Sequence, residues 1–478
     1  MKKTLPLAFS LAVLLLVPAV SQSYDEDDLF GDESDSIDEW QSPSEEEDSS
    51  DLSKGIIFKT GSVTVGGSLT SKAQTSTTII SDEDDTFKDR VYNTSLTPTL
   101  EGTLTVDARP KDNLRIYTKI GADYPFTTSS STASLFNSST SSSWFTMDEM
   151  FTDFSIKDKV FFRFGKHTVT WGTGYFFSPV SDIINTSSID VENPDDSVSG
   201  CLNLRTQIVL PGIHNYLWLY VIPSTDFTTS YSAASYARDT GLAAKGEVLL
   251  GNWEVGLGAY YRYLNPPKVM ITATGDIFKA SFFGEAVYQY GSENQWNNDT
   301  SWKDKESVFK ITGGINYYWS QSKITLALQY YYDSDKDDYQ TKVDTAANYV
   351  NLAYAQSKGA YSYKTLLTNV ALVNYSSFYS GHNIAGLVNF GRVGTSDLTA
   401  SVYGILHIGT LPSSLDATLK SANIDTDILG YALASASLTY SPIDQLSISA
   451  GPYMTWTSFN NNPIVSFNMT LTLGGGNY

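Results

Sequence analysis

Hydrophobic and polar positions alternate one by one along much of the chain after residue 54. In the stretch 253–263 the odd positions are apolar or aromatic, while Glu254, Gly256 and Gly258 stand between them. The stretches 309–319, 324–332 and 465–473 repeat this pattern. Because successive side chains of a strand point to opposite faces, each stretch predicts a β-strand with one apolar and one polar face.

The same reading predicts eighteen strands, most of about ten residues or more, which is longer than the usual five or six in soluble proteins. They lie near residues 62–72, 92–108, 113–124, 148–157, 160–170, 202–210, 215–222, 241–250, 252–263, 267–275, 279–291, 308–319, 323–333, 383–392, 398–408, 428–440, 445–456 and 464–473.

The connections between these segments alternate in length. Links after even-numbered segments are tight, such as Gly251 and 320–322, whereas most links after odd-numbered segments are long, such as 125–147 and 334–382. Aromatic residues gather at segment ends, where interfacial girdles lie in membrane barrels. The pattern therefore predicts an all-β fold, a transmembrane antiparallel up-and-down β-barrel of about 18 strands (range 16–20). Its short turns would be periplasmic and its long loops extracellular.

The N-terminal part predicts export and a separate tail. Residues 1–21 have a basic start, a short apolar core and small residues at the end, as in a cleaved signal peptide. Residues 22–54 hold fourteen acidic residues and no Lys or Arg before Lys54, which predicts a disordered periplasmic tail. Residues 55–478 are then the barrel.

Composition narrows the class of protein further. The 31 tyrosines and a charged share of only 17% are unusual for a soluble protein of this size. With one cysteine, Cys201, the chain cannot form an internal disulfide. The net charge of −21 disfavours nucleic acid as a partner.

One short run carries a resemblance to known proteins. It comprises Arg163-x-Gly165-Lys166, Trp171-Gly172-x-Gly174, Pro179, Asp182 and Asn185. With this run the chain resembles bacterial outer-membrane β-barrels of the porin-like kind, in particular spirochaete barrels with an acidic tail between signal and barrel. The resemblance covers most of residues 55–478 and implies a location in the outer membrane of a Gram-negative-type envelope. It also implies insertion by the barrel-assembly machinery, although only Tyr478 matches the terminal aromatic residue typical of the family.

The phase of the alternation predicts which charged side chains face the lumen. One interpretation is a charged constriction that selects solutes, and the other is that these charges pair across neighbouring strands and fill the interior. The predicted pore-lining residues are Glu101, Arg115, Lys119, Asp153, Arg163, His167, Arg205, Lys245, Glu247, Glu254 and Arg262.

The link 171–201 is too apolar for a solvated outer loop and is predicted to fold inward and narrow the pore. Two glycines and a proline at the start of this link end the preceding strand. The residues assigned to this constriction are Trp171, Gly172, Gly174, Tyr175, Phe176, Phe177, Pro179, Asp182 and Asn185. We also expect a bulge near Lys166 that turns this lysine away from lipid.

The four histidines and the single cysteine form no motif of a hydrolase or a zinc site. We therefore predict no catalytic residue, no metal site and no cofactor. The sequence favours a channel through which small polar solutes diffuse. Two alternatives stay open, namely a transporter of hydrophobic molecules with a plugged lumen, and a surface adhesin or structural barrel. Outer-membrane lipid, small solutes and a possible second copy of the chain are the expected partners.

Overall fold

A computed structural model describes the barrel strands, their tight turns and part of the longer links. The described residues are 49–51, 56–80, 94–124, 145–157, 159–185, 200–212, 214–223, 233–263, 265–291, 307–337, 381–394, 397–409, 429–443, 446–457 and 464–477. The predicted signal peptide, the acidic tail up to residue 48 and Tyr478 lie outside them.

These residues contain twenty β-strands, two short α-helices and one 3-10 turn. The strands are β1 (Ser49–Asp51), β2 (Ile56–Thr60), β3 (Val63–Ile80), β4 (Thr94–Lys111), β5 (Leu114–Tyr124), β6 (Phe145–Ile156), β7 (Val160–His167), β8 (Cys201–Val209), β9 (Tyr216–Ile222), β10 (Gly241–Leu250), β11 (Trp253–Tyr261), β12 (Lys268–Ile277), β13 (Ala280–Tyr290), β14 (Ser307–Trp319), β15 (Ile324–Asp333), β16 (His382–Phe390), β17 (Leu398–Gly409), β18 (Leu429–Ile443), β19 (Leu446–Thr457) and β20 (Ile464–Asn477). The helices are α1 (Ala233–Asp239) and α2 (Ser334–Asp337), and Ser181–Ile183 form the 3-10 turn. No helix in the described part of the chain is long and apolar enough to cross a membrane.

Strands β3 to β20 form one closed antiparallel sheet. Each pairs with its neighbours in sequence, and β20 pairs with β3, where Asn468 lies opposite Ser76. Eighteen strands thus enclose a barrel, which confirms the strand number and the up-and-down order predicted from the sequence.

The two remaining strands make a hairpin on the edge of β3. Strand β2 pairs with residues 63–66 of β3. The same edge of β3 pairs with β20 from Ser68 onward. Strand β1 pairs in turn with β2, so Ser49–Asp51, at the end of the predicted tail, are part of the sheet.

Several strand ends differ by three or four residues from the prediction, as at β7 and β20, and one boundary differs more. The first barrel strand was expected to end at residue 72, but β3 continues to Ile80. The outward residues Ala73, Thr75 and Thr77 are small or polar, so this part of the strand lacks the alternation of large apolar residues that marks a strand in the sequence. Pairing with β4 and β20 on both edges satisfies its backbone hydrogen bonds instead.

The two faces of the sheet differ in chemistry as the alternation predicts. Leu257, Val269 and Ile271 are 63%, 49% and 47% exposed, whereas the alternating Met270 and Thr272 are buried. The exposed set consists mainly of large apolar side chains, and the alternating set includes buried Lys, Glu, Asn and Gln. A closed sheet with an apolar outer face and a polar inner face matches a barrel surrounded by lipid.

Candidate functional site

The chain does not leave the barrel after β7 but turns into it. Residues 168–185, called the inward loop below, pack on the same face of the sheet that carries the polar residues. Trp171 and Val180 contact buried residues of β9 to β13, and Phe176 contacts residues of β15 to β18. A single segment can reach strands so far apart in a closed sheet only from the inside.

Glu285 on β13 holds the centre of this loop. One carboxylate oxygen accepts hydrogen bonds from the backbone N–H of Thr173 (2.5 Å) and Gly174 (2.6 Å) and from Ser178 Oγ (3.0 Å). The other oxygen accepts the N–H of Val180 at 2.9 Å. A carboxylate that is 3% exposed needs such donors, because an uncompensated buried charge is very costly.

Two further inward side chains fix the loop on either side of Glu285. Gln329 on β15 accepts the N–H of Phe176 at 2.7 Å and donates to the carbonyl of Phe177 at 2.7 Å. Lys245 on β10 donates to the carbonyl of Trp171 and lies 2.5 Å from Glu247. The loop is therefore attached to three strands through its backbone.

Bonds within the loop keep it compact. Trp171 Nε1 donates to the carbonyl of Val180 at 2.7 Å, and the side-chain amide of Asn185 bonds both backbone groups of Val169 (2.8 and 2.9 Å). The N–H of Gly172 donates to Ser181 Oγ at 3.0 Å. A Cβ on Gly172 would lie 2.0 Å from Ser178 Oγ and 2.5 Å from a Glu285 carboxylate oxygen, so a larger residue here would displace the side chains that hold the loop.

The other predicted loop residues divide by exposure. Pro179 and Phe176 are buried, and Tyr175 packs edge-on against Phe176 with ring centroids 4.8 Å apart. Phe177 stacks on Tyr331 of β15 at 5.2 Å. Asp182 is exposed and contributes its backbone N–H to the 3-10 turn.

A row of alternating charges runs across β4 to β7 near the end of the barrel with the tight turns. Asp107 accepts hydrogen bonds from Arg109 and Arg115, each at 3.2 Å. Asp153 accepts two from Arg163, at 2.7 and 3.0 Å, and lies 3.9 Å from Arg115. Planar, two-bonded Arg–carboxylate pairs are among the stronger ionic contacts in proteins, so this row is a fixed structure.

Phe151 and Gly165 support the row. Phe151 lies opposite Gly165 in the β6–β7 ladder, and the Arg163 guanidinium sits 4.0 Å above the Phe151 ring. A Cβ on Gly165 would lie 2.1 Å from the carbonyl oxygen of Met150, and its φ of 144° suits only glycine. The bulge expected near Lys166 is on the neighbouring strand, where Asp148 has no partner in the register, and Lys166 donates to the carbonyl of Met147 at 2.5 Å.

Of the remaining predicted pore-lining residues, Arg205 lies directly opposite Arg163 on β8, and the others lie apart from this row. Glu101 pairs with Lys72 at 2.6 Å, and Lys119 is half-buried opposite Glu149. His167 is fully buried, with its ring 5.9 Å from that of Phe151. Arg205 lies 5.4 Å above the ring of Trp218.

Strands β10 and β11 carry the last of the predicted set. Glu247 accepts the indole N–H of Trp218 at 2.5 Å, and Glu254 is half-buried on β11. Arg262 follows β11 and donates to the carbonyl of Asp239 at 3.0 Å. It therefore contacts the end of α1 and not the lumen at the middle of the barrel. Two hydrogen bonds from Arg238 lower the pKa of the neighbouring Asp239 carboxyl.

Sequence reasoning did not assign Glu285 and Gln329 to the loop. Both stand at inward positions of ordinary alternating strands, and no local feature separates them from other polar inward residues. Only the path of the inward loop reveals their role. Among the described residues, no group of three or more His, Cys, Asp or Glu side chains could hold a metal ion.

No protein-family model matches the chain, and no curated protein is similar to it in sequence. Its fold is similar to solved bacterial structures. The outer membrane protein opdK from Pseudomonas aeruginosa has 8% identity and a TM-score of 0.46, with 86% of this chain and 98% of that chain covered. A BenF-like porin from Pseudomonas fluorescens Pf-5 has 8% identity and a TM-score of 0.48 over the same shares.

A third similar structure, OccD3 (OpdP) from Pseudomonas aeruginosa, has 10% identity and a TM-score of 0.43, with 86% of this chain and 91% of that chain covered. At such identities and scores these likenesses describe barrel architecture and assign no residue or solute to this chain.

Proposed function

We propose that the protein is an outer-membrane channel through which small polar solutes diffuse. The observation that carries the proposal is the closed barrel of eighteen strands with an apolar outer face and a polar inner face. A barrel of this size is wide enough for an aqueous lumen unless something fills it. The porins among the similar structures and the sequence resemblance to spirochaete barrels with an acidic tail agree with this role.

The inward loop is the proposed constriction. Its attachment to Glu285, Gln329 and Lys245 supports this role, because these bonds hold its backbone and aromatic side chains inside the barrel. The paired charges on β4 to β7 stand beside it as candidate pore-lining groups, and their ion pairs favour a structural contribution alongside any contact with solute.

The polar inner surface favours the channel over a transporter of hydrophobic molecules. Most of the buried apolar residues in the described part of the barrel pack against the inward loop in two clusters. An apolar solute would need this surface, but the loop's own Trp171 and Phe176 already cover it. The role of a surface adhesin would depend on outer-loop residues that lie outside the described part of the chain.

Reconstitution of the refolded full-length protein in planar bilayers tests the proposal. We expect discrete conductance steps that persist when the acidic tail is removed. A folded, heat-modifiable protein that inserts into the bilayer without any steps would refute a channel function. Swelling of liposomes in polar solutes provides a second measurement that does not depend on ions.

A further inference from the structure

The inner face of the barrel has a covered side and an open side. Lys245 and Lys72 both point inward, but Lys245 is 2% exposed and the side chain of Lys72 is 40% exposed. Likewise Glu285 is 3% exposed, whereas the side chain of Glu101 is 41% exposed. The inward loop therefore occupies the side formed by β9 to β18, where Phe176 packs with Leu433, and leaves space along β20, β3 and β4.

The open side is lined by hydroxyl and amide groups. We call the inward positions of β20, β3 and β4, together with those of β18 and β19 that lie on the tight-turn side of Leu433 and Tyr453, the hydroxyl wall. Its orientation follows from β20, where Asn468 and Thr470 alternate with Phe467 and Met469, which are 52% and 47% exposed on the outer face.

Side chains of the hydroxyl wall bond to one another from strand to strand. Examples are Thr439–Ser449 at 3.1 Å, Ser76–Asn468 at 2.7 Å and Ser68–Thr103 at 2.6 Å. Each hydroxyl can both donate and accept, so such a wall can replace the hydration water of a solute that also has hydroxyl groups.

The charges on this wall balance in number. Lys72 and Glu101 form a 2.6 Å pair with almost equal exposure, and Arg109 pairs with Asp107 at 3.2 Å. Arg115 on the next strand, β5, also donates to Asp107. Since paired charges largely cancel at a distance, this side of the lumen offers a weak net field to an ion and many hydrogen bonds to a neutral molecule.

We propose that solutes pass along the hydroxyl wall, on one side of the barrel, and that this path takes small uncharged molecules rich in hydroxyl groups, such as polyols. The inference rests on the proposed channel function and adds to it the position of the path and the chemical class of solute.

Two matched threonines test the position of the path. Thr470 is half-buried on the hydroxyl wall, and Thr272 is 3% exposed on the covered side, directly opposite Glu285 in the β12–β13 ladder. Each is changed to cysteine in full-length protein that carries Cys201→Ala, and a charged methanethiosulfonate reagent is added during bilayer recording. We expect a stepwise loss of conductance with Thr470→Cys and none with Thr272→Cys.

Equal loss at both positions, or loss only at Thr272→Cys, would overturn the proposed path while leaving the channel function intact. Absence of conductance from the unmodified protein would instead refute the channel function. Heat-modifiable migration of each variant in gels verifies that its barrel is folded.

Liposome swelling tests the solute class. Ribitol is compared with gluconate and with a protonated amino alcohol of similar size, and we expect ribitol to enter several-fold faster than either charged solute. Entry of a charged solute as fast as ribitol would contradict the proposed class. In bilayers, Lys72→Met should shift the reversal potential toward cation selectivity and Glu101→Gln toward anion selectivity, while Lys279→Met in the β12–β13 turn should leave it unchanged.

Discussion

Replacing Glu285 should release the inward loop without unfolding the barrel. Glu285→Ala removes all four bonds and leaves three backbone N–H groups of the loop without their acceptor. A buried donor left unsatisfied costs about 1–3 kcal/mol. Water in the lumen hydrogen-bonds to the released N–H groups and offsets part of this cost, so we take a total loss of about 3 kcal/mol for the three groups. This loss shifts the docking equilibrium of the loop by roughly a hundredfold. Glu285→Gln keeps one acceptor oxygen, and its smaller loss of about 1.4 kcal/mol gives roughly tenfold.

Single-channel recording measures the effect. Conductance and current noise should rise from the unmodified protein through Glu285→Gln to Glu285→Ala, because an undocked loop opens the lumen and moves within it. Ser281→Ala is the matched control, since Ser281 is on the same strand as Glu285 but bonds Asp276 beside the β12–β13 turn, away from the loop and the hydroxyl wall. If Glu285→Ala folds but conducts with the same amplitude and noise as the unmodified protein, the loop does not form the constriction.

Three further predictions concern the barrel itself. Gly165→Ala should strongly reduce the yield of heat-modifiable folded protein, because the added Cβ would lie 2.1 Å from the carbonyl oxygen of Met150. Gly246→Ala, with no atom within 4 Å of the added Cβ, should fold normally. Equal yields of the two variants would contradict this prediction. Asp153→Asn should lower the free energy of unfolding by about 2–4 kcal/mol, because Arg163 loses its buried partner. Glu101→Gln, at a pair that is 40% exposed, should change it by less than about 1 kcal/mol. Guanidinium titration in lipid measures both. Leu257→Arg on the outer face should destabilise the inserted barrel by about 2–4 kcal/mol, and Thr470→Arg on the inner face should not; equal effects would mean that Leu257 does not face lipid.

Most of the architecture could be predicted from the sequence, because a barrel strand carries its signal in its own alternation. The eighteen predicted segments correspond to β3–β20, and their tight and long links follow the predicted order. The error at residues 73–80 shows where the signal fails. There the outward residues Ala73, Thr75 and Thr77 are small or polar, so hydropathy does not reveal a strand whose hydrogen bonds come from both neighbours.

The site was less accessible to sequence reasoning. The composition of residues 171–177 indicated that this segment avoids water, but not which strands it would contact. Glu285 and Gln329 gain their importance from a loop more than a hundred residues away in sequence, with separations of 105 and 153 residues in two of the bonds. Arg262 had the right phase for the lumen but lies just beyond the end of β11, where it bonds the backbone of neighbouring links instead.

The barrel closes only when its first strand, β3, pairs with its last strand, β20. Ser76 and Asn468 bond across 392 residues. Beyond the residues 63–66 that β2 covers, this edge of the first barrel strand therefore has no partner until the last strand exists. An early stop anywhere before β20 would leave a row of open N–H and C=O groups on β3, which lipid cannot satisfy. A truncated product therefore cannot close into a smaller barrel with the same pairing, and lipid would oppose the insertion of its unpaired edge.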